Sequence, residues 1–198
     1  FFGALLNHSE AQIRKIALRE LDLLDYGDLR ALQLDIQTDR ILSRLHVLTE
    51  TELRAIRILM LGLSDTPELQ PYLQERLASQ LRYGGDMIGA YTLALLEYGQ
   101  ENTIDWMAQS VLMNSLLRYQ DRSAVVQAMA ILHNSGDAAM ANLVNEALSG
   151  PVFFDPQLAR MVVQHFRPNG LPPINSGPFN PDIGIVALER LNKATASN

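Results

Sequence analysis

The chain has 198 residues, a formal net charge of −6, 47% apolar and 19% charged residues, and no cysteine. That balance excludes a disordered polymer, a disulfide framework, thiolate catalysis and cysteine-ligated zinc. It also argues against a nucleic-acid partner, which calls for a basic face to neutralise phosphates.

In chain order the dominant period is helical. From Ser9, a candidate N-cap with Gln12 at the capping-box position, apolar residues fall at Ile13, Ile16, Ala17, Leu21 and Leu24 and share one face. Gly27 turns the chain. Asp28 then opens a short segment, Leu29 to Leu34, and Thr38 or Asp39 caps another, Ile41 to Val47. A long helix is expected after Thr49, with Glu52 at the capping-box position and Leu53, Ile56, Met60 and Leu63 on one face. Here lies the strongest apolar run, Ile56 to Leu63, interrupted by Arg57. No run reaches the roughly 18 residues of a membrane span.

Asp65 or Thr66, followed by Pro67, starts a helix with the stripe Leu69, Leu73 and Leu77. Gly84-Gly85 breaks it. Asp86 caps a helix carrying Ile88, Tyr91 and Leu95, which ends at Gly99, and the next bears Ile104, Met107, Ala108 and Val111. Asp121 begins a helix with Val125, Ala128, Met129 and Leu132, Ser135-Gly136 breaks it, and Asp137 opens one with Met140, Leu143, Val144 and Ala147. After Gly150-Pro151, Asp155-Pro156 reads as an N-cap and first-turn proline leading Leu158, Met161, Val162 and His165. No period-2 strand is convincing. The stretch Arg167 to Asp182 holds five of the nine prolines and is expected to be extended, before a last short helix.

The leading helices start near residues 9, 50, 86, 121 and 155, at spacings of about 41, 36, 35 and 34. A period in this range with two helices per unit is the signature of an α-solenoid. The stretch Leu5-Leu6-Asn7-His8-Ser9-Glu10-Ala11-Gln12-Ile13-Arg14-Lys15-Ile16-Ala17-Leu18-Arg19-Glu20-Leu21 resembles a HEAT repeat, and Leu53-Arg54-Ala55-Ile56 resembles a second copy. Ile88-Gly89 and Val126-Gln127 lack the arginine of that pattern. The resemblance implies an all-α, right-handed α-α superhelix of about four to five HEAT-like helix pairs over residues 1–166. Residues 167–198 would then form a Pro/Gly-rich extended segment with a short helix, packed on the last repeat.

Tests for chemistry give no catalytic, cofactor or metal site. The histidines at 8, 46, 133 and 165 have no metal-ligand spacing. His8 and His133 lie near turns and His165 on an apolar face, which suits capping and core roles. Asp22, Asp25 and Asp28 fail the calcium-loop pattern. Gly62-Leu63-Ser64-Asp65 lacks the second glycine and the preceding strand of a nucleophile elbow.

Two features suit partner binding. Trp106 lies opposite the Ile104-Met107-Val111 stripe, on the side of Met113 and Leu117; exposed, the three make a contact patch, although burial inside the stack is the favoured reading. Phe179, in the proline-rich segment, belongs either to a docking arm or, as favoured, to a cap over the end of the stack.

The expected function is a protein-interaction or scaffolding module whose partner is a protein or peptide. The alternative is a small-ligand or enzymatic site in the groove. Some HEAT-like families are DNA glycosylases and others resemble pigment lyases; the acidic balance speaks against the first. With two lysines, Lys15 and Lys193, positive charge must come from arginine. Convergence of Arg30, Arg40, Arg44, Arg76, Arg82, Arg118 and Arg122 on one groove would favour an anionic ligand. The expected setting is soluble, with the cytoplasm favoured; the opening Phe1-Phe2-Gly3 leaves a cleaved targeting segment open.

Overall fold

The structure, a computed structural model, describes residues 1–137, 139–140, 142–144 and 155–166. Every regular element among them is helical, so the protein is all-α. No helix among the described residues is long and apolar enough to cross a membrane. The chain forms two compact units, Phe1–Thr103 and Ile104–Asn198.

The first unit starts with a single turn, α1 (Phe2–Leu5), then α2 (Ala11–Asp22), α3 (Tyr26–Ala31) and α4 (Thr38–Arg44). A 3₁₀ segment, Leu48–Leu53, leads into α5 (Arg54–Gly62), and a 3₁₀ turn, Pro67–Leu69, into α6 (Gln70–Tyr83) and α7 (Ile88–Leu96). One cluster of its core joins Leu6, Ala17, Leu18, Leu21, Leu29, Leu53, Ile56 and Met60. On α2 the buried face is Ala17, Leu18 and Leu21, whereas Ile16 is 51% exposed and Leu24 is also exposed. The face is thus narrower than the sequence stripe. At 100° per residue Ile16 points roughly 140° away from Leu21, so it cannot share the contact.

The expected Ser9 cap does not form either. Glu10 occupies the N-cap position of α2 without a side-chain bond. Instead Nδ1 of His8 accepts the Glu10 N–H at 3.1 Å, and Arg14 Nη1 donates to the carbonyls of His8 and Ser9. The helix expected after Thr49 begins only at Arg54, because the chain first winds a 3₁₀ segment whose Glu50 departs from helical geometry (φ −136°, ψ 33°).

α5 packs on α2, α4 and α7, and α7 also packs on α6. From Tyr91 to Leu96 every residue of α7 is buried, so this helix has apolar contacts all round instead of one stripe. Its closest approach is at Gly62 of α5: a Cβ there would lie 2.4 Å from the Cα of Ala94. Glycine is what lets the two backbones meet. α6 ends at Gly84, whose positive φ of 76° is a backbone angle that glycine adopts without steric cost.

α8 (Glu101–Met107) carries the chain into the second unit and continues as a π-turn, Ala108–Leu112, in which the Met113 N–H bonds the Ala108 carbonyl at 2.9 Å. α9 (Tyr119–Asn134) follows, then helical backbone at 139–140 and 142–144, and α10 (Pro156–Phe166). α9 packs on α10. Val125, Ala128, Met129 and Leu132 of α9 are buried, as are Leu158, Met161 and Val162 of α10. Asp155 caps α10, with Oδ1 accepting the N–H groups of Gln157 (2.9 Å) and Leu158 (3.1 Å). Arg122 of α9 is fully buried and donates through Nη2 to Asp155 Oδ2 at 2.7 Å and to the Leu112 carbonyl.

Candidate functional site

In the first unit, α2, α4, the 3₁₀ segment and α5 enclose a cavity of about 50 Å³. Helical spacing delivers its charges. Arg14 and Lys15 come from α2, Arg40 and Arg44 sit at i and i+4 on one face of α4, and Arg57 comes from α5. Against these five cations stands one carboxylate, Glu50. Leu6, Leu18, Ile36, Ile41 and Met60 supply apolar wall.

Glu50 and Arg57 are only 2% and 3% exposed, yet each is charged. Charges so buried persist only when paired and hydrogen-bonded. Glu50 is held three times over. Its Oε1 accepts from Lys15 Nζ at 2.7 Å and from Arg44 Nη2, and its Oε2 accepts from Arg57 Nη2. Arg57 Nη1 also donates to the Arg44 carbonyl at 2.9 Å. Burial pushes the Glu50 carboxyl up, but the bonds from Lys15, Arg57 and Arg44 outweigh it and hold the group down at about 2.

The rim is polar. Arg40 is exposed and Arg44 is about half exposed, so both reach solvent. Asn7 also lines the cavity and ties to Asp35 through Nδ2, donating to its carbonyl and to Oδ2 at 3.0 Å.

Of the seven arginines named above, only Arg40 and Arg44 converge here. Arg30 pairs with Glu97 at 3.0 Å, Arg118 with Asp121 and Arg122 with Asp155. Arg76 lies over the Tyr72 ring and Arg82 over the Tyr83 ring. Three of the cavity's cations, Arg14, Lys15 and Arg57, were not among the seven. Arg57 had a signal, since an arginine inside the run Ile56 to Leu63 must find a buried partner. Glu50 had none.

A wider cleft of about 520 Å³ in the same unit is lined by Arg30, Ser64, Asp65, Glu97 and Tyr98 among others. Its strongest charges are already spent on each other, with Glu97 accepting from Arg30 and from the Tyr26 hydroxyl at 2.8 Å. Ser64 Oγ donates to the Leu61 carbonyl at 2.7 Å, a local helix-end bond.

The partner-binding residues of the second unit fall in different settings. Trp106 is half-buried in α8, Met113 is 51% exposed just after the π-turn, and Leu117 is half-buried in the turns beyond it. The helix ends at Leu112, so no straight face runs from Trp106 to Leu117. Leu116, not singled out before, is 93% exposed, and Tyr119 is exposed as well. Phe179 and the whole 167–198 segment lie outside the described residues. His165 Nε2 lies 2.8 Å from Ser123 Oγ, and among the described residues no group of three or more His, Asp or Glu side chains forms a metal site.

No protein-family model, curated protein or solved structure matches this chain.

Proposed function

We propose that the unit Phe1–Thr103 binds a small anionic ligand in the cavity between α2, α4 and α5. The observation that carries this is the charge count: five cations line the cavity against the single carboxylate of Glu50, in a chain whose net charge is −6. Arg40 and Arg44 repel each other along α4 at a cost of a few tenths of a kcal/mol, which an anion between them would reverse. Low-dielectric walls strengthen that attraction. Thermal melts of the full chain against a panel of small anions at fixed ionic strength test the reading. The melting temperature should rise saturably with the bound species and stop responding in Arg14→Ala. Indifference to every anion would sink it.

The repeat architecture belongs to the same proposal. The packing of α2 on α5 and of α5 on α7 supports stacked HEAT-like pairs, since these helices lead successive units of the sequence period. In a right-handed α-α superhelix such leading helices line one side of the stack.

A second reading, a protein-interaction module, draws on the exposed Met113, Leu116 and Tyr119 in the second unit. Large apolar side chains so exposed serve as contact points for an apolar peptide or protein surface. Crosslinking from a photoreactive residue at position 116 in the source cell should then capture a defined protein; labelling of solvent alone would remove this reading.

A further inference from the structure

The cavity's construction speaks to the chemistry of its ligand and to the role of Glu50. We propose that the bound group is a phosphoryl group, doubly charged near neutral pH, and that Glu50 is a positioning residue for it. This rests on the same cavity binding an anion at all.

Charge comes first. Once Glu50 is counted, the five cations still far outnumber the negative charge, and a monocarboxylate would leave most of the excess unmatched. A phosphate monoester carries about −1.5 to −2 near pH 7 and three strong acceptor oxygens. Size agrees. A cavity of about 50 Å³ admits a group of a few heavy atoms, so the remainder of an ester must stay outside, at the exposed Arg40 and Arg44. Arginine forks match phosphoryl oxygens two at a time, and four of the five cations are arginines.

Glu50 supplies rigidity. Long cationic side chains lose rotamer entropy when a ligand fixes them. Here Lys15, Arg44 and Arg57 are already fixed on one buried carboxylate. The carboxylate takes a single nitrogen from each, whereas a guanidinium carries five N–H donors and an ammonium three. Glu50 therefore organises the cradle without exhausting it.

Calorimetric titration of the full chain with inorganic phosphate, ethyl phosphate and acetate decides the matter. Phosphate should occupy one site at least about ten-fold more tightly than acetate, the worth of one further charged hydrogen bond. Its affinity should rise from about pH 5.5 to 7.5 as the second proton leaves. Acetate, ionised throughout that range, is the control for pH dependence that does not come from the phosphate. Glu50→Gln should weaken phosphate about ten-fold, and Arg40→Ala, at an exposed position, should weaken it comparably in a chain that still melts cooperatively. Binding of both phosphate and ethyl phosphate marks an ester as the natural class; binding of phosphate alone marks the free ion, and each supports a phosphoryl site. Acetate binding as tightly as phosphate overturns the inference but keeps the anion site. So does Glu50→Gln binding phosphate more tightly, which would make Glu50 a competitor. If none of the three anions binds, the anion-binding reading falls as well. Should Glu50→Gln not fold, Arg40→Ala and Arg14→Ala carry the test, and unchanged phosphate affinity in both overturns it.

Discussion

At the scale of single residues, the N-terminal unit is organised by a charge that the local sequence hides. Glu50 and Glu52 sit two positions apart, yet Glu52 is exposed and pairs with Arg19 at 3.0 Å, while Glu50 is sealed beneath three cations. Removing the buried partner leaves Arg57 uncompensated, so Glu50→Ala should cost about 3–5 kcal/mol of stability, measured by urea unfolding. Acidity probes the same contact. The folded-state pKa of Glu50 lies near 2, below its ordinary 4.5. Between those values the unfolded chain binds more protons, so the stabilisation is complete above about pH 4.5 and drains away as pH falls towards 2. Burial also lowers the pKa of His165, which adds a slope at higher pH. The difference between wild type and Glu50→Gln isolates the carboxylate; parallel stability curves from pH 6 to 2.5 would contradict the assignment. Arg57 was legible as an anomaly in an apolar run. Glu50 was not, because nothing in Thr49-Glu50-Thr51-Glu52 distinguishes a capping glutamate from a buried one.

At the scale of elements, helix periodicity carried most of the architecture. The leading helices begin at Ala11, Arg54, Ile88, Tyr119 and Pro156, within a few residues of the starts read from the sequence, and Asp155 caps its helix as its place before Pro156 requires. Three things escaped for physical reasons. Which of two flanking residues enters the core depends on the neighbour's position, so Leu18 is buried and Ile16 is not. The helix closes in a π-turn at Leu112, and Leu117 lies in the turns beyond it, off the Trp106 face. The 3₁₀ start before α5 replaces the expected cap. Helix spacing placed Arg40 and Arg44 together, but the cavity needed α2 and α5 as well, and that convergence is tertiary. The α5–α7 contact yields a sharp prediction. Gly62→Ala would force a methyl to 2.4 Å from the Ala94 Cα, so the helices must part, at a cost of at least about 1–3 kcal/mol by thermal or denaturant unfolding. An unaffected midpoint would mean that the helices do not cross there.

At the scale of the whole molecule, two compact units share one chain. The loss caused by Gly62→Ala should appear in hydrogen exchange as weakened protection across α5 and α7, with α9 and α10 keeping theirs; uniform loss would show a single cooperative block. Each unit anchors itself with a buried arginine, Arg57 on Glu50 in the first and Arg122 on Asp155 in the second. The enclosed helix α7 also has a consequence for biosynthesis. A helix with no polar side cannot be the last element of a soluble intermediate. While the ribosome is still delivering residues 88–96, α5 and α6 lack their common neighbour, and their apolar faces are open to chaperones or to other nascent chains. That exposed interval closes when Leu96 clears the exit tunnel and α7 can pack on α5 and α6.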